Sequence, residues 1–217
     1  MKEEEILEKV RNYVKKIVQE EATGHDWYHL QRVEQNAQKI NKEEQADRFI
    51  ISMIVLLHDL YDHKFYQGKA EEKLEETLKG LAVWEEIPLE KRNNIIHSCT
   101  NLGFSSNFSS KKELSKEGQI VQDADRLDAL GAIGIARTFA YGGKVGKKLY
   151  CPEEKERITQ EEYQTTGSRT SIGHFYDKLL KLKDLMNTKE GKRLAKKRHL
   201  FIQTYLEEFL AEWGANR

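Results

Sequence analysis

The sequence predicts an all-α protein, and three observations carry that expectation. Apolar residues recur at helical spacing, first at Ile6, Val10, Val14 and Ile17, then at Leu30, Val33, Ala37 and Ile40. Long stretches consist of Glu, Lys, Leu, Ala and Gln, which are good helix formers. Proline occurs only twice, at Pro88 and Pro152, and no stretch sustains the period-2 alternation of a half-buried strand.

Helices are expected near residues 2–20, 27–41, 44–62, 69–86, 89–100, 113–128, 131–148, 168–188 and 191–213. The first carries the Ile6 stripe behind an acidic start, and the second carries the Leu30 stripe. The third contains Phe49 to Leu57, apolar on nearly every side, which marks a central helix. Gly80 weakens the fourth. Pro88 fits the first turn of the fifth. The sixth sets Ala124 and Leu127 on one face, with Asp125 flanking them. Two segments read as functional loops: the Ser- and Asn-rich stretch 101–112, and a Gly-rich then charged stretch from 141 to 168. One helical domain over 1–217 is expected, with a metal-binding core at about 20–130 and a helical extension at about 131–217.

Lys+Arg and Asp+Glu are both 36, so the formal net charge is zero. That balance argues against holding nucleic acid by bulk electrostatics, and the basic run 191–199 reads as a solvated helix face. Cys99 and Cys151 form neither a zinc pattern nor a disulfide framework, which suits a reducing compartment. The acidic, amphipathic start lacks the features of a signal peptide, and the Phe49–Leu57 run is too short to span a bilayer. The reading is a soluble cytoplasmic protein with no membrane partner. The exposed ends of so helical a chain permit a homodimer.

Three places combine metal-type ligands with apolar flanks: His25, Asp26 and His29; His58, Asp59 and Asp62; and Asp123, Asp125 and Asp128. His29 lies at the edge of a buried stripe, and Asp59 directly follows a helix too apolar to leave a carboxylate unpaired. A divalent cation resolves the conflict by turning buried carboxylates and neutral imidazoles into satisfied ligands. His29, His58, Asp59 and Asp125 offer two nitrogens and two carboxylates, a mixture suited to Mn²⁺, Fe²⁺, Ni²⁺, Co²⁺ or Zn²⁺, with Mg²⁺ as a further choice. Asp123 stands as the alternative to Asp125. Two positions of an octahedral ion stay open, one for a water of lowered pKa and one for a phosphoryl oxygen.

The ordered pattern of His29, then His58-Asp59, then Asp125 resembles the HD-domain superfamily of metal-dependent phosphohydrolases. "HDWYHLQRV", "LLHDLYDHK" and "QDADRLDALGAIGIARTF" together look like its small stand-alone bacterial branch, the YedJ/YpgQ-like hydrolases, and "SIGHFYDKLLKL" extends the likeness. The HD dipeptide occurs twice and is weak alone; the order of three motifs is specific. The resemblance implies a helical bundle around one cleft and hydrolysis of a nucleotide phosphate by metal-activated water. The leading substrate is a nucleoside or deoxynucleoside triphosphate, cleaved to release pyrophosphate. Alternatives are a phosphodiesterase or phosphomonoesterase on the same ligands, or a non-catalytic nucleotide sensor.

Further roles follow from position. Asp62, one turn after Asp59, reads as the base or water-orienting group. His97 reads as a phosphate contact or a helper of a second ion. His25 and Asp26 shape the entrance, although Asp26 equally suits a helix cap. Arg32, Arg126, Lys144, Lys147 and Lys148 are candidate phosphate contacts. His63 and His199 sit among charges and read as solvated.

Overall fold

A computed structural model describes residues 1–18, 26–61, 68–103, 112–152, 162–163 and 166–214. Its elements are α1 (Glu3–Ile17), α2 (Trp27–Glu44), α3 (Arg48–Leu57), α4 (Ala70–Gly80), α5 (Leu89–Asn101), α6 (Lys116–Asp128) and α7 (Gly131–Lys144). A helical run then starts as α8 (Ser171–His174), widens into a π turn (Phe175–Leu179), returns as α9 (Leu180–Leu182) and tightens into a 3-10 turn (Lys183–Leu185). The last helix is α10 (Lys189–Glu212). The fold is all-α. Among the described residues, strand-type pairing is confined to one isolated bridge between Lys148 and Thr170.

The chain forms two compact units, Met1–Ala124 and Asp125–Arg217, and the boundary falls inside the unbroken helix α6. In the first unit α3 is the axis. Every residue from Phe49 to Leu57 is buried, and α1, α2 and α5 pack around it. The Ile6, Val10 and Val14 stripe of α1 faces inward, as its period requires.

Local chemistry sets where these helices begin and end. Asp47 caps α3 by accepting from the amides of Phe49 at 2.9 Å and Ile50 at 3.2 Å. Before it, α2 stops where Gln45 turns left-handed at φ 53°. The Asn41 side chain brackets that turn, accepting from the Ala46 amide at 2.7 Å and donating to the Ala46 carbonyl at 3.2 Å. α3 therefore starts after residue 44, and it ends at Leu57, short of the expected 62. α4 stops at Gly80, and Ala82 at φ 51° turns the chain away. Pro88 sits just outside α5 as its cap residue.

The second unit has an aromatic centre. Phe175 is fully buried and stacks on Tyr205 with ring centroids 5.9 Å apart, and Phe139 lies 6.0 Å from Phe175. Two of its arginines are tied to backbone: Arg126 donates to the Leu185 carbonyl and Arg198 to the Leu127 carbonyl. His199 shares the buried face of α10 with Ala195, Ile202 and Leu206 and is 8% exposed, so the solvated reading of it is corrected.

Candidate metal centre

The end of α3 delivers the first two groups. The helix stops at Leu57 and His58 is its cap residue, so His58 and Asp59 lie in the turn that follows a buried rod. The turn is closed by the Leu60 amide bonding to the Leu57 carbonyl. Past it, the Tyr61 hydroxyl meets Thr77 Oγ1 at 2.8 Å and pins the exit to α4. His58 is 9% exposed. Its Nδ1 lies 2.8 Å from the Val55 carbonyl. A carbonyl only accepts, so Nδ1 carries the hydrogen and the neutral ring keeps its lone pair on Nε2. That Nε2 is buried and makes no hydrogen bond among the described residues. It lies 3.4 Å from Asp59 Oδ1.

α2 supplies the third group. His29 is 0% exposed, on the first turn of the helix. The helix cap acts on His29 itself: Asp26 Oδ1 accepts from the His29 amide at 2.8 Å. His29 Nε2 lies 3.2 Å from Asp59 Oδ2, and the two imidazole rings are 5.8 Å apart. Asp59 thus approaches one imidazole with each of its oxygens.

Asp125 completes the set. It follows Ala124 on the same uninterrupted helix. His29, His58 and Asp125 each present one ligand atom, and these atoms all lie within 4.8 Å of one another. Ligands at about 2.1 Å from one ion stand up to about 4.2 Å apart, so the spread is close to that of a coordination shell. The grouping contains Asp125 and neither Asp123 nor Asp59, which stands beside it against the two imidazoles. Asp123 is fully buried, and Asp128 pairs with Arg137 at 2.9 Å. Two imidazoles and two carboxylates, one ring held through its other nitrogen to a carbonyl, have the chemistry that fits a divalent ion with mixed ligands.

The other expected residues fall as follows. His25 and Asp62, like His63, lie outside the described residues. His97 is exposed on α5, with Nε2 3.0 Å from the Glu113 carbonyl. Arg126 is 6% exposed and spends its guanidinium on Leu185. Lys144 closes α7 and Lys148 belongs to the isolated bridge; both are exposed. Lys147 is half-buried, and desolvation holds its ammonium below the ordinary range against the charge of Asp177. One neighbour escaped the sequence reading. Cys99 reaches towards the Ile54 carbonyl, and burial pushes its thiol up, with the Asp59 carboxylate adding to the effect.

A family model described as the HD domain matches residues 26–130. The Bacillus subtilis protein YpgQ is 38% identical over 209 residues, covering 96% of this chain and 94% of its own. The chain belongs to the HD-domain family. Among solved structures, a Lactobacillus plantarum protein aligns over 100% of both chains at 37% identity and a TM-score of 0.85. An HD-superfamily hydrolase from Bacillus thuringiensis aligns over 99% of this chain and 100% of its own, at 40% identity and a TM-score of 0.72. YpgQ in complex with ADP aligns over 98% of this chain and 97% of its own, at 33% identity in the structural alignment and a TM-score of 0.72. The HD domain is an all-helical, metal-binding fold, and its superfamily includes hydrolases. No helix among the described residues is long and apolar enough to cross a membrane.

Proposed function

We propose that the chain is a metal-dependent phosphohydrolase acting on nucleotides, with nucleoside and deoxynucleoside triphosphates as leading substrates and pyrophosphate as the expected product. The observation that carries this reading is the confrontation at His58. The hydrogen bond to Val55 puts the neutral ring's lone pair on Nε2, and that buried nitrogen lies 3.4 Å from the partly exposed Asp59 carboxylate. Two acceptors so placed repel, and the ring that carries one of them is buried. A divalent cation between them turns the conflict into coordination. His29, His58, Asp59 and Asp125 would hold it. When bound, the ion supplies Lewis-acid polarisation of a phosphoryl oxygen and a water of lowered pKa.

The chain's own residues hold that arrangement still. Val55 fixes the ring of His58, Asp26 fixes the first turn that carries His29, and the apolar rod of α3 fixes the turn that carries Asp59. Asp62 is assigned the proton-accepting role and His97 a phosphate contact, on their sequence positions. The reading treats the chain as one HD-type unit of function, with its metal-binding core at about 20–130 and the rest as a helical extension. The ADP held by YpgQ supports a nucleotide as the ligand class here.

The test is hydrolysis of a nucleotide panel by metal-stripped protein with Mn²⁺, Mg²⁺, Co²⁺, Ni²⁺ or Zn²⁺ restored one at a time. Phosphate and pyrophosphate are assayed separately. Metal-dependent turnover with pyrophosphate release supports the full reading. Phosphate release alone, or turnover only on diesters, moves the assignment to a phosphomonoesterase or phosphodiesterase. Metal binding with no turnover on any nucleotide overturns the hydrolase.

A further inference from the structure

We propose that Asn36 is a positioning residue for the metal centre, holding the helix that carries Asp125 to the helix that carries His29; this rests on the metal-dependent reading above. Between His29 and Asn41 the buried stripe of α2 is apolar apart from Asn36, running through Leu30, Val33, Ala37 and Ile40. Asn36 is 4% exposed and lies two turns beyond His29, on the same side of the helix. A buried amide is costly unless its hydrogen bonds are made. Asn36 Nδ2 donates to the Ala124 carbonyl on α6, 3.4 Å away. Ala124 is the residue immediately before Asp125.

The acceptor is well chosen. A carbonyl has two lone pairs, and the helix's own ladder uses one, so the Asn36 bond ties α6 down without breaking it. Two other contacts seat α6 against a different neighbour. Gln122 Nε2 donates to the Leu102 carbonyl at 3.0 Å. At Gly118 an added Cβ would come 2.7 Å from Ser98 Oγ, so α6 approaches α5 more closely than a side chain allows. Those contacts place α6 on α5; Asn36 sets its distance from the helix of His29. A metal shell tolerates only about 0.5 Å of error in its ligands, so that distance decides affinity.

Asn41 separates positioning from mere structure. It lies on the same helix, is buried to a similar degree (5% exposed), and brackets Ala46 in the turn to α3. The experiment is calorimetric titration of Mn²⁺ into the metal-stripped full chain, for the parent, Asn36→Leu and Asn41→Ala, with the Tm of each metal-free protein. Leucine has the branching and side-chain heavy-atom count of asparagine and leaves the Ala124 carbonyl its helical partner, so the fold is expected to survive. Asn36→Leu is expected to weaken Mn²⁺ binding about tenfold, the scale of an outer-shell loss. Asn41→Ala is expected to lower Tm at least as much and keep the parent's affinity. If Asn36→Leu does not fold, Asn36→Ala replaces it with the same expectation. A parent that binds Mn²⁺, with Asn36→Leu binding equally well or Asn41→Ala losing as much affinity, overturns the positioning role alone. A parent that binds none of the divalent ions overturns the metal reading and this proposal with it.

Discussion

His58 and His199 are both buried histidines with one ring nitrogen that makes no hydrogen bond among the described residues, yet their surroundings differ in kind. His58 has its Nδ1 held by Val55 and its Nε2 aimed at the carboxylate of Asp59, with His29 and Asp125 within reach of the same point. His199, on α10, has Lys183 and Asp184 as charged neighbours, and burial followed by the Lys183 charge pulls its pKa below the ordinary histidine range. Neither burial nor an unpartnered nitrogen marks a metal site. Convergence does: several donors, at least one with its tautomer fixed, meeting within reach of one ion.

The largest effects should break that comparison at its strong end. His58→Ala or Asp125→Ala is expected to weaken Mn²⁺ binding by more than the ~100-fold that bounds outer-shell changes, and to abolish turnover. His199→Ala should leave Mn²⁺ affinity unchanged. Calorimetry on the three proteins checks both halves. A related expectation concerns stability. Saturating Mn²⁺ at about 100 times Kd should stabilise the parent and His199→Ala by ~2.7 kcal/mol, and His58→Ala by almost nothing. Denaturant melts with and without the ion read this directly.

Much of this was legible in the sequence, and the losses have physical causes. The run from Phe49 to Leu57 announced a central helix because only a helix buried on all sides tolerates apolar residues on all sides. Its end was misplaced because neither proline nor glycine breaks the sequence between 58 and 62, while the chain turns to present His58 and Asp59. His199 was misread from its basic neighbours in sequence. Its helical neighbours Ala195, Ile202 and Leu206 carried the correct signal, since spacing sets exposure and adjacency does not. The bond from His58 to Val55 and the bond from Asn36 to Ala124 depend on rotamers and on how two helices meet, which no one-dimensional pattern encodes. The irregular run from Ser171 to Leu185 was expected as one plain helix, and the structure offers no reason for its π turn.

At the weak end of the comparison, His199 should reveal itself through pH. Its folded pKa is depressed by burial, so its neutral form stabilises the fold fully above the unfolded histidine value of about 6.5. That contribution is lost as pH falls through the depressed folded value. The parent's denaturation midpoint should decline between about pH 7.5 and pH 5 more steeply than that of His199→Leu, which carries no titrating group. Equal slopes would show that the ring protonates as easily folded as unfolded.

The smallest effect tests whether the helix that delivers His58 can be weakened without touching the site. Asp47 starts α3, and its carboxyl lies below the ordinary range: burial works against this, but the hydrogen bond from Lys91, the Ile50 amide and the Lys91 charge outweigh it. Asp47→Ala should cost about 1 kcal/mol of stability near neutral pH, the usual worth of a helix cap. The sign follows from the depressed folded pKa: the contribution is present above the unfolded carboxyl value of about 3.9 and is lost as pH falls through the folded one. The gap between parent and Asp47→Ala should therefore close in acid. Asp47→Asn keeps the cap and drops the charge, so it should hold most of the stability at neutral pH and show little of the acid loss. Both variants should bind Mn²⁺ like the parent, because α3 stays buried on every side and only its far end is loosened. A fall in Mn²⁺ affinity in Asp47→Ala would mean that the rod transmits strain along its length to His58, and that the site's rigidity is set at both ends of the helix.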